Sequence, residues 1–551
     1  MLKLNKIQEI RNLDMEIAQI SHKAFSSGSQ EKNLFIPTSA ALKGVRATLH
    51  ALFEDVEELD VSHALVDVLA SHFKDFLSGV QLGLDSLNDD PGKAYHMLGA
   101  KINGLCLGDY RPESVRHDVL MANLKSTHII WQEAIQPCLE KFDDLKLARL
   151  QNGLAEAQKA ISFTVPKLRA VFRGFKKQRL DETKNALEDV LESLESHITF
   201  ISGQYNDLFG MGTKAQRSSD EAICTGQEDY RSKLKSSVGV DLDDVLSWYN
   251  DENEKTRAEV LSIASKLDGK VKTTEDASKL LFKHAGPYSS PEEMFKKANE
   301  YLARARVAAR EHIWLPENEE CELVPIPDHL RDYYPWGGYM GDYPSRYPLY
   351  NKMFLNNHNY TAITDGWLKI IALHEAYPGH HAQFIRSAIG PIPETMKRGA
   401  SAVAFSEGVC IRSEKVFEFV FAEDPYFPLM VALRRHHAST RIKIDLMLNY
   451  FGKTIGETCK EYEKEMGFDE KTARAQVQAH EYMQGYFTGY HYGLKKICDL
   501  EKELNWETKA YTELLFSVGR VNLSTFEKIA RLSPLNRHSL LHDFASKLQF
   551  A

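Results

Sequence analysis

Apolar residues recur at helical spacing through most of this 551-residue chain, and that periodicity constrains its fold more than any other feature. Val45, Leu49, Leu52, Phe53 and Val56 lie a few positions apart with mostly polar residues between them, the pattern of a helix that buries one face. From about residue 40 to 210 helix follows helix, with turn chemistry at Asn88-Asp89-Asp90-Pro91-Gly92 and Phe209-Gly210-Met211-Gly212 marking stops. Another long amphipathic helix is predicted from Asp241 to Gly269, with Val245, Leu246, Trp248, Val260 and Ile263 on its apolar side. The texture changes between about 314 and 362, where Pro316, Pro325, Pro327, Pro335 and Pro344 lie among tyrosines and glycines. There Cys321-Glu322-Leu323-Val324-Pro325 and Lys352-Met353-Phe354-Leu355 read as short strands. The expectation is a mainly α, two-lobed fold with a deep central cleft and a few edge strands. An N-terminal helical lobe would span 1–240 and a catalytic helical lobe 241–551.

Hydrophobic residues at 43% and charged residues at 26% leave no compositional case for disorder. A net charge of -9 offers no whole-protein attraction to nucleic acid or to anionic membranes, so neither is an expected partner. The cysteines are scattered without CxxC spacing, which argues against a disulfide framework or a cysteine-rich zinc knuckle. Charged residues at Glu9, Arg11, Asp14 and Glu16 stand where a secretory signal would have its apolar core, and no window reaches the ~18 apolar residues of a membrane span. The expected location is cytoplasmic. The sequence sets no oligomeric state.

The chemistry is concentrated in His374-Glu375-Ala376-Tyr377-Pro378-Gly379-His380-His381. An H-E-x-x-H motif brings two imidazoles to one helix face beside a glutamate that acts as general base. Here Pro378 stands four residues after His374; it lacks the N–H the helix needs and biases Tyr377 away from helical geometry, so a kink is expected. On a straight helix His381 would nearly eclipse His374 and His380 would sit about 120° away. If two residues loop out, His380 falls where the second ligand of an uninterrupted motif would lie. His380 is therefore the favoured second zinc ligand and His381 the alternative. Asp365 is read as the N-cap of the helix that delivers His374.

A catalytic zinc site takes three protein ligands and keeps an open position. Glu407, in a helix read from about Pro393 to Phe421, is the third candidate. Glu414, seven residues later on the same face, suits a role holding a ligand histidine. Glu375 is the expected general base. Further along, His480, Tyr486, Tyr490 and His491 offer imidazole and phenol donors for an oxyanion or a substrate, with aromatic core packing as the plain alternative.

At these residues the chain resembles the family catalogued as domain of unknown function 885, whose hallmark is a His-Glu-x-x-Pro-Gly-His-His segment. Glu407-Gly408 is similar to that family's Glu-Gly-Trp-Ala element, Arg441 and Asp445 to its Arg-x-x-x-Asp pair, and Gly485 through Gly493 to its Gly-Gln-Ala-x-x-Tyr-x-x-Gly element. The resemblance covers about residues 240 to 551. The family is similar in organisation to the helical zinc peptidases that include angiotensin-converting enzyme and the thimet-type oligopeptidases. That likeness implies Tyr490, and after it Tyr486 and His480, against the substrate or the tetrahedral intermediate. Val409-Cys410 replaces the usual Trp-Ala, Tyr486 the usual Gln, and Asn449 stands where many members carry a histidine.

The expected function is hydrolysis of short peptides by a zinc-dependent metallopeptidase, carboxypeptidase- or oligopeptidase-like. One alternative is a zinc hydrolase of a small amide-like metabolite, and another a non-catalytic metal-binding protein. Retention of Glu375 argues against the last, since a structural zinc site needs no general base. Arg441 would bind a substrate carboxylate or pair with Asp445 one helical turn away.

Overall fold

The computed structural model describes residues 4–25, 34–107, 111–204, 227–326, 331, 336–340, 349–399 and 403–544. The stop at Phe209–Gly212 and the prolines 327, 335 and 344 lie outside the described residues. The fold is mainly α with one small sheet. Among the described residues no helix is long and apolar enough to cross a membrane.

The chain divides into two compact units, Met1–Leu59 with Leu77–Arg217, and Asp60–Phe76 with Ser218–Ala551. The division falls within the helix Ala64–Asp89. In the first unit the helices Lys93–Leu107, Glu113–Ile129, Asp144–Thr164 and Lys177–Gln204 enclose a core that includes Tyr95, Leu120, Leu154, Phe172 and Leu194. Residues 227–240, placed by the sequence in the N-terminal lobe, belong to the second unit. There Tyr230, Leu234 and Val238 pack with Ile442, Leu446 and Tyr492.

Ten elements of the second unit position the site. They are α1 (Leu242–Leu267), α2 (Pro291–His312), β1 (Glu319–Pro325), β2 (Gly337–Met340), β3 (Leu349–Leu355), α3 (Asp365–Ile371), α4 (His380–Ile389), α5 (Val403–Val416), α6 (Phe427–Asn449) and α7 (Thr488–Glu503). Helix α1 starts where Asp241 accepts from the Asp244 N–H, with Asp243 and Asp244 favoured near the positive end of the helix. Its Val260 and Ala264 share a core with Leu429 and Leu433 of α6. Asn253 donates to Thr440 at 3.1 Å, so the packing of α1 on α6 has a polar register as well as an apolar one.

Strand order in the sheet is β1-β3-β2, with β1 parallel and β2 antiparallel to β3. Both predicted strands exist and extend further than the sequence indicated; the central β3 buries Leu349, Met353, Phe354 and Leu355. β2 was missed because it is four residues long and begins with two glycines. Thr364, not Asp365, caps α3, its hydroxyl accepting from the Trp367 N–H at 3.2 Å. The helix read from Pro393 to Phe421 is three pieces: Glu394–Arg398, α5, and a 3-10 turn over Glu418–Phe421. The first ends at Gly399, whose φ of +87° few side chains tolerate.

Helices α5 and α7 meet backbone to backbone. A Cβ added at Gly408 would lie 2.4 Å from the carbonyl carbon of Gly493, and one added at Gly493 would lie 1.7 Å from the Ala404 oxygen. Only two glycines permit that approach, and it brings Glu407 on α5 and Tyr490 on α7 to the same place.

Candidate metal centre

The His-Glu segment leaves helical geometry as its proline requires. After α3 the chain takes a wide turn over Ala372–Ala376 that carries His374 and Glu375, closed by the Tyr377 N–H on the Ala372 oxygen at 2.9 Å. Tyr377 is extended and its bond to Pro378 is cis; Gly379 then opens α4 at His380. A Cβ on Gly379 would lie 1.9 Å from the His374 oxygen, so the break needs glycine there. With the intervening residues looped out, the rings of His374 and His380 come within 5.1 Å of each other, nearly perpendicular at 85°.

Glu407 Oε2 lies 3.2 Å from His374 Nε2 and 3.4 Å from His380 Nε2. Its other oxygen accepts from the Tyr486 hydroxyl at 3.0 Å, which turns Oε2 towards the two histidines. Glu414, fully buried, takes His374 Nδ1 at 2.7 Å. Nδ1 thereby donates to Glu414, which leaves Nε2 as the atom turned to Glu407. Tyr490 lies parallel to the His374 ring, at 6.3 Å and 4°. His374, His380, Glu407, Glu414, Tyr486 and Tyr490 are thus brought together from three separate stretches of chain.

Burial opposes charge on His374, but its hydrogen bonds to Glu407 and Glu414 outweigh that and lift the imidazole to about 9. Burial likewise opposes charge on Glu407, and His380 and His374 hold its carboxyl well below the ordinary range. Glu375 lies within electrostatic reach of His374, Cys410 and Tyr339. Burial and the charge of Glu407 push the Tyr490 hydroxyl up, so it keeps its proton.

Two donor sets could supply a metal. Ligand atoms of His374, His380 and Cys410 lie within 4.8 Å of one another, but Cys410 Sγ faces His380 Nδ1 at 3.4 Å, the side away from Glu407. Glu407 instead faces the Nε2 atoms of both histidines. A tetrahedral zinc with bonds of about 2.0–2.1 Å sets its ligand atoms roughly 3.3 Å apart, and the two separations that Glu407 makes, 3.2 and 3.4 Å, are on that scale.

Three expected site residues, His381, His480 and His491, are placed elsewhere, and Arg441 makes a different contact from the one expected. His381, the alternative ligand, turns its Nε2 to Glu319 Oε2 at 2.8 Å and has Tyr339 of β2 at its other nitrogen, 3.3 Å away. Arg306, Arg310 and Tyr377 also bond Glu319, so one carboxylate ties β1, α2 and both sides of the proline break together. His480 pairs with Asp445 at 3.0 Å and so supports the backbone before α7, where Gly485 N–H bonds the same carboxylate. His491 sits beside Glu252 at 3.5 Å and near Trp248, on the α1 side of α7. Arg441 does not pair with Asp445, whose oxygens are taken by Tyr230, His480, Gly485 and Thr488. Its guanidinium lies over Phe487 and Tyr490, 4.6 and 5.4 Å from the ring centroids.

Sequence reasoning missed the contact of Cys410 with His380, although a position three after Glu407 on a helix signals it. It missed Arg434, one heptad before Arg441 on the same face of α6. It also missed Glu319, which only the fold brings to His381.

Residues 130–528 match the model of a family described as bacterial protein of unknown function (DUF885). No curated protein matches the chain. Solved structures share the fold, two of which are lipoprotein-titled bacterial proteins. One is titled the putative lipoprotein from Colwellia psychrerythraea, with a TM-score of 0.74 at 15% identity, covering 95% of this chain and 98% of that one. The other, a putative lipoprotein of unknown function from Shewanella oneidensis, has a TM-score of 0.69 at 15% identity, covering 95% and 99%.

Proposed function

Since the chain belongs to this DUF885 family of bacterial proteins of unknown function, we propose from its own side chains that it is a zinc-dependent hydrolase of short peptides. The observation that carries this reading is the approach of Glu407 Oε2 to the Nε2 atoms of His374 and His380 at 3.2 and 3.4 Å, with Glu375 next to the first histidine. Those three residues would hold the ion. When bound, zinc supplies a Lewis acid that polarises a carbonyl and lowers the pKa of water.

Glu414 fixes the ring and tautomer of His374, and Tyr486 does the same for the Glu407 carboxylate. Glu375 takes the proton of the attacking water as it adds to the scissile carbonyl carbon, and returns it to the amine when the C–N bond breaks. Tyr490, held protonated, donates to the oxygen on which negative charge develops.

Metal content by mass spectrometry, with incubation in a mixed short-peptide library, tests this. About one zinc per chain, lost in His374→Ala and Glu407→Ala but kept in Glu375→Gln, and cleavage by wild type alone, are expected. Zinc without cleavage would move the reading to a small amide-like metabolite. No bound divalent metal after reconstitution would overturn it.

A further inference from the structure

Two arginines beside the cluster have buried donors that make no hydrogen bond. Arg434 and Arg441 are 7% and 6% exposed, seven residues apart on α6 and therefore on one face. Nε and one terminal nitrogen of Arg434, and Nε of Arg441, are buried without a hydrogen bond. The nearest polar contact of Arg434 is an ion pair of its Nε with Glu414 Oε1 at 3.5 Å. Arg441 reaches Gln476 at 3.5 Å and the Tyr462 hydroxyl. The carboxylate one turn away, Asp445, is occupied by other donors.

Unmade hydrogen bonds on a buried guanidinium are costly, and its planar fork matches a carboxylate bidentately. The place of the pair is also informative. Arg434 is linked to His374 through a single atom, Glu414 Oε1. Both guanidiniums lie over the ring of Tyr490, at 5.6 and 5.4 Å, and that ring is parallel to His374. One residue of an extended peptide spans about 3.3–3.6 Å, so a terminal carboxylate one or two residues beyond the scissile carbonyl lies on this scale.

We propose that Arg434 and Arg441 receive the free C-terminal carboxylate of the substrate, which makes the protein an exopeptidase working from the C-terminus. This rests on the hydrolase reading above and adds the substrate class. The pair selects peptides ending in a free acid and sets the cut at the last or next-to-last bond.

The test uses one mixed tetrapeptide library prepared as free acids and as C-terminal amides. Wild type should cleave the acids near their C-terminus, with kcat/KM for the amides lower by roughly tenfold or more, the scale of one lost charge-assisted hydrogen bond. Arg434→Lys and Arg441→Lys should shrink that ratio mainly through KM, with circular dichroism checking that each variant is folded. As a readout independent of turnover, the acids alone should raise the thermal midpoint of Glu375→Gln. Internal cuts at equal rates on acids and amides would overturn the carboxylate site and leave the hydrolase. Acid-selective, arginine-dependent stabilisation without cleavage would keep the carboxylate site and remove the hydrolase. Neither stabilisation nor cleavage would remove both.

Discussion

Gly493→Ala tests how this fold assembles its site, because the added methyl meets the α5 backbone at Ala404 and Gly408 and no ligand side chain is changed. The added methyl would stand 1.7 Å from the Ala404 oxygen and 2.7 Å from its carbon, where C···O contacts normally lie at about 3.3–3.6 Å. The obstacle is backbone, so it has no rotamer to change, and α5 and α7 must part locally by more than about 1 Å. Overpacking typically costs about 1–3 kcal/mol, and a clash with backbone belongs at or above the upper end. Alanine in place of glycine returns about 1 kcal/mol of helix propensity. The net loss is about 2 kcal/mol or more, read as a fall of at least about 3 °C in the thermal midpoint. Glu407 rides on α5 and Tyr490 on α7, so zinc affinity in a chelator competition should fall as well. Gly44→Ala is the control: it is exposed within Ser39–Glu57 with nothing within 4 Å of the added carbon, and should gain up to about 1 kcal/mol. A Gly493→Ala protein that melts at or above wild type with unchanged zinc affinity would refute the backbone-contact argument.

Glu414→Ala should weaken zinc binding by about 10- to 100-fold, because His374 loses the acceptor that sets its tautomer; chelator competition reads the change, and affinity within twofold of wild type would contradict it. Burial opposes charge on Glu319, yet His381, Tyr377 and Arg306 hold its carboxyl down at about 2, from 4.5. The folded value is the lower one, so Glu319 contributes roughly 3 kcal/mol that is present above pH ~4.5 and lost as pH falls towards ~2. Urea midpoints of wild type and Glu319→Gln should accordingly differ by a constant amount above about pH 5 and converge below it. Tyr230→Phe removes a donor from buried Asp445 and should lower stability by about 1–2 kcal/mol in urea unfolding; a smaller loss than about 0.5 kcal/mol would count against Asp445 as the anchor of the turn before α7.

Much of the local structure was legible because it depends on neighbours in sequence. The helix from Asp241 announced itself by its spacing and its acidic cap. The break after Glu375 followed from the missing N–H of Pro378, and the advance of His380 over His381 followed from counting residues around that break. Boundaries were less legible where a competing cap or a glycine decided them, as at Thr364 and Gly399.

The sequence by itself determined a helical chain with an interrupted His-Glu segment, since periodicity and proline chemistry act over a few residues. Which of the remaining side chains meet that segment was decided by tertiary structure. His381, His480 and His491 look alike as letters, yet each was claimed by a carboxylate, Glu319, Asp445 and Glu252 respectively. Glu407, Tyr486, Tyr490 and Arg434 reached the cluster because two glycines let α5 and α7 touch and because α6 packs alongside. Contacts between residues tens of positions apart depend on how helices cross, and no local pattern carries that crossing.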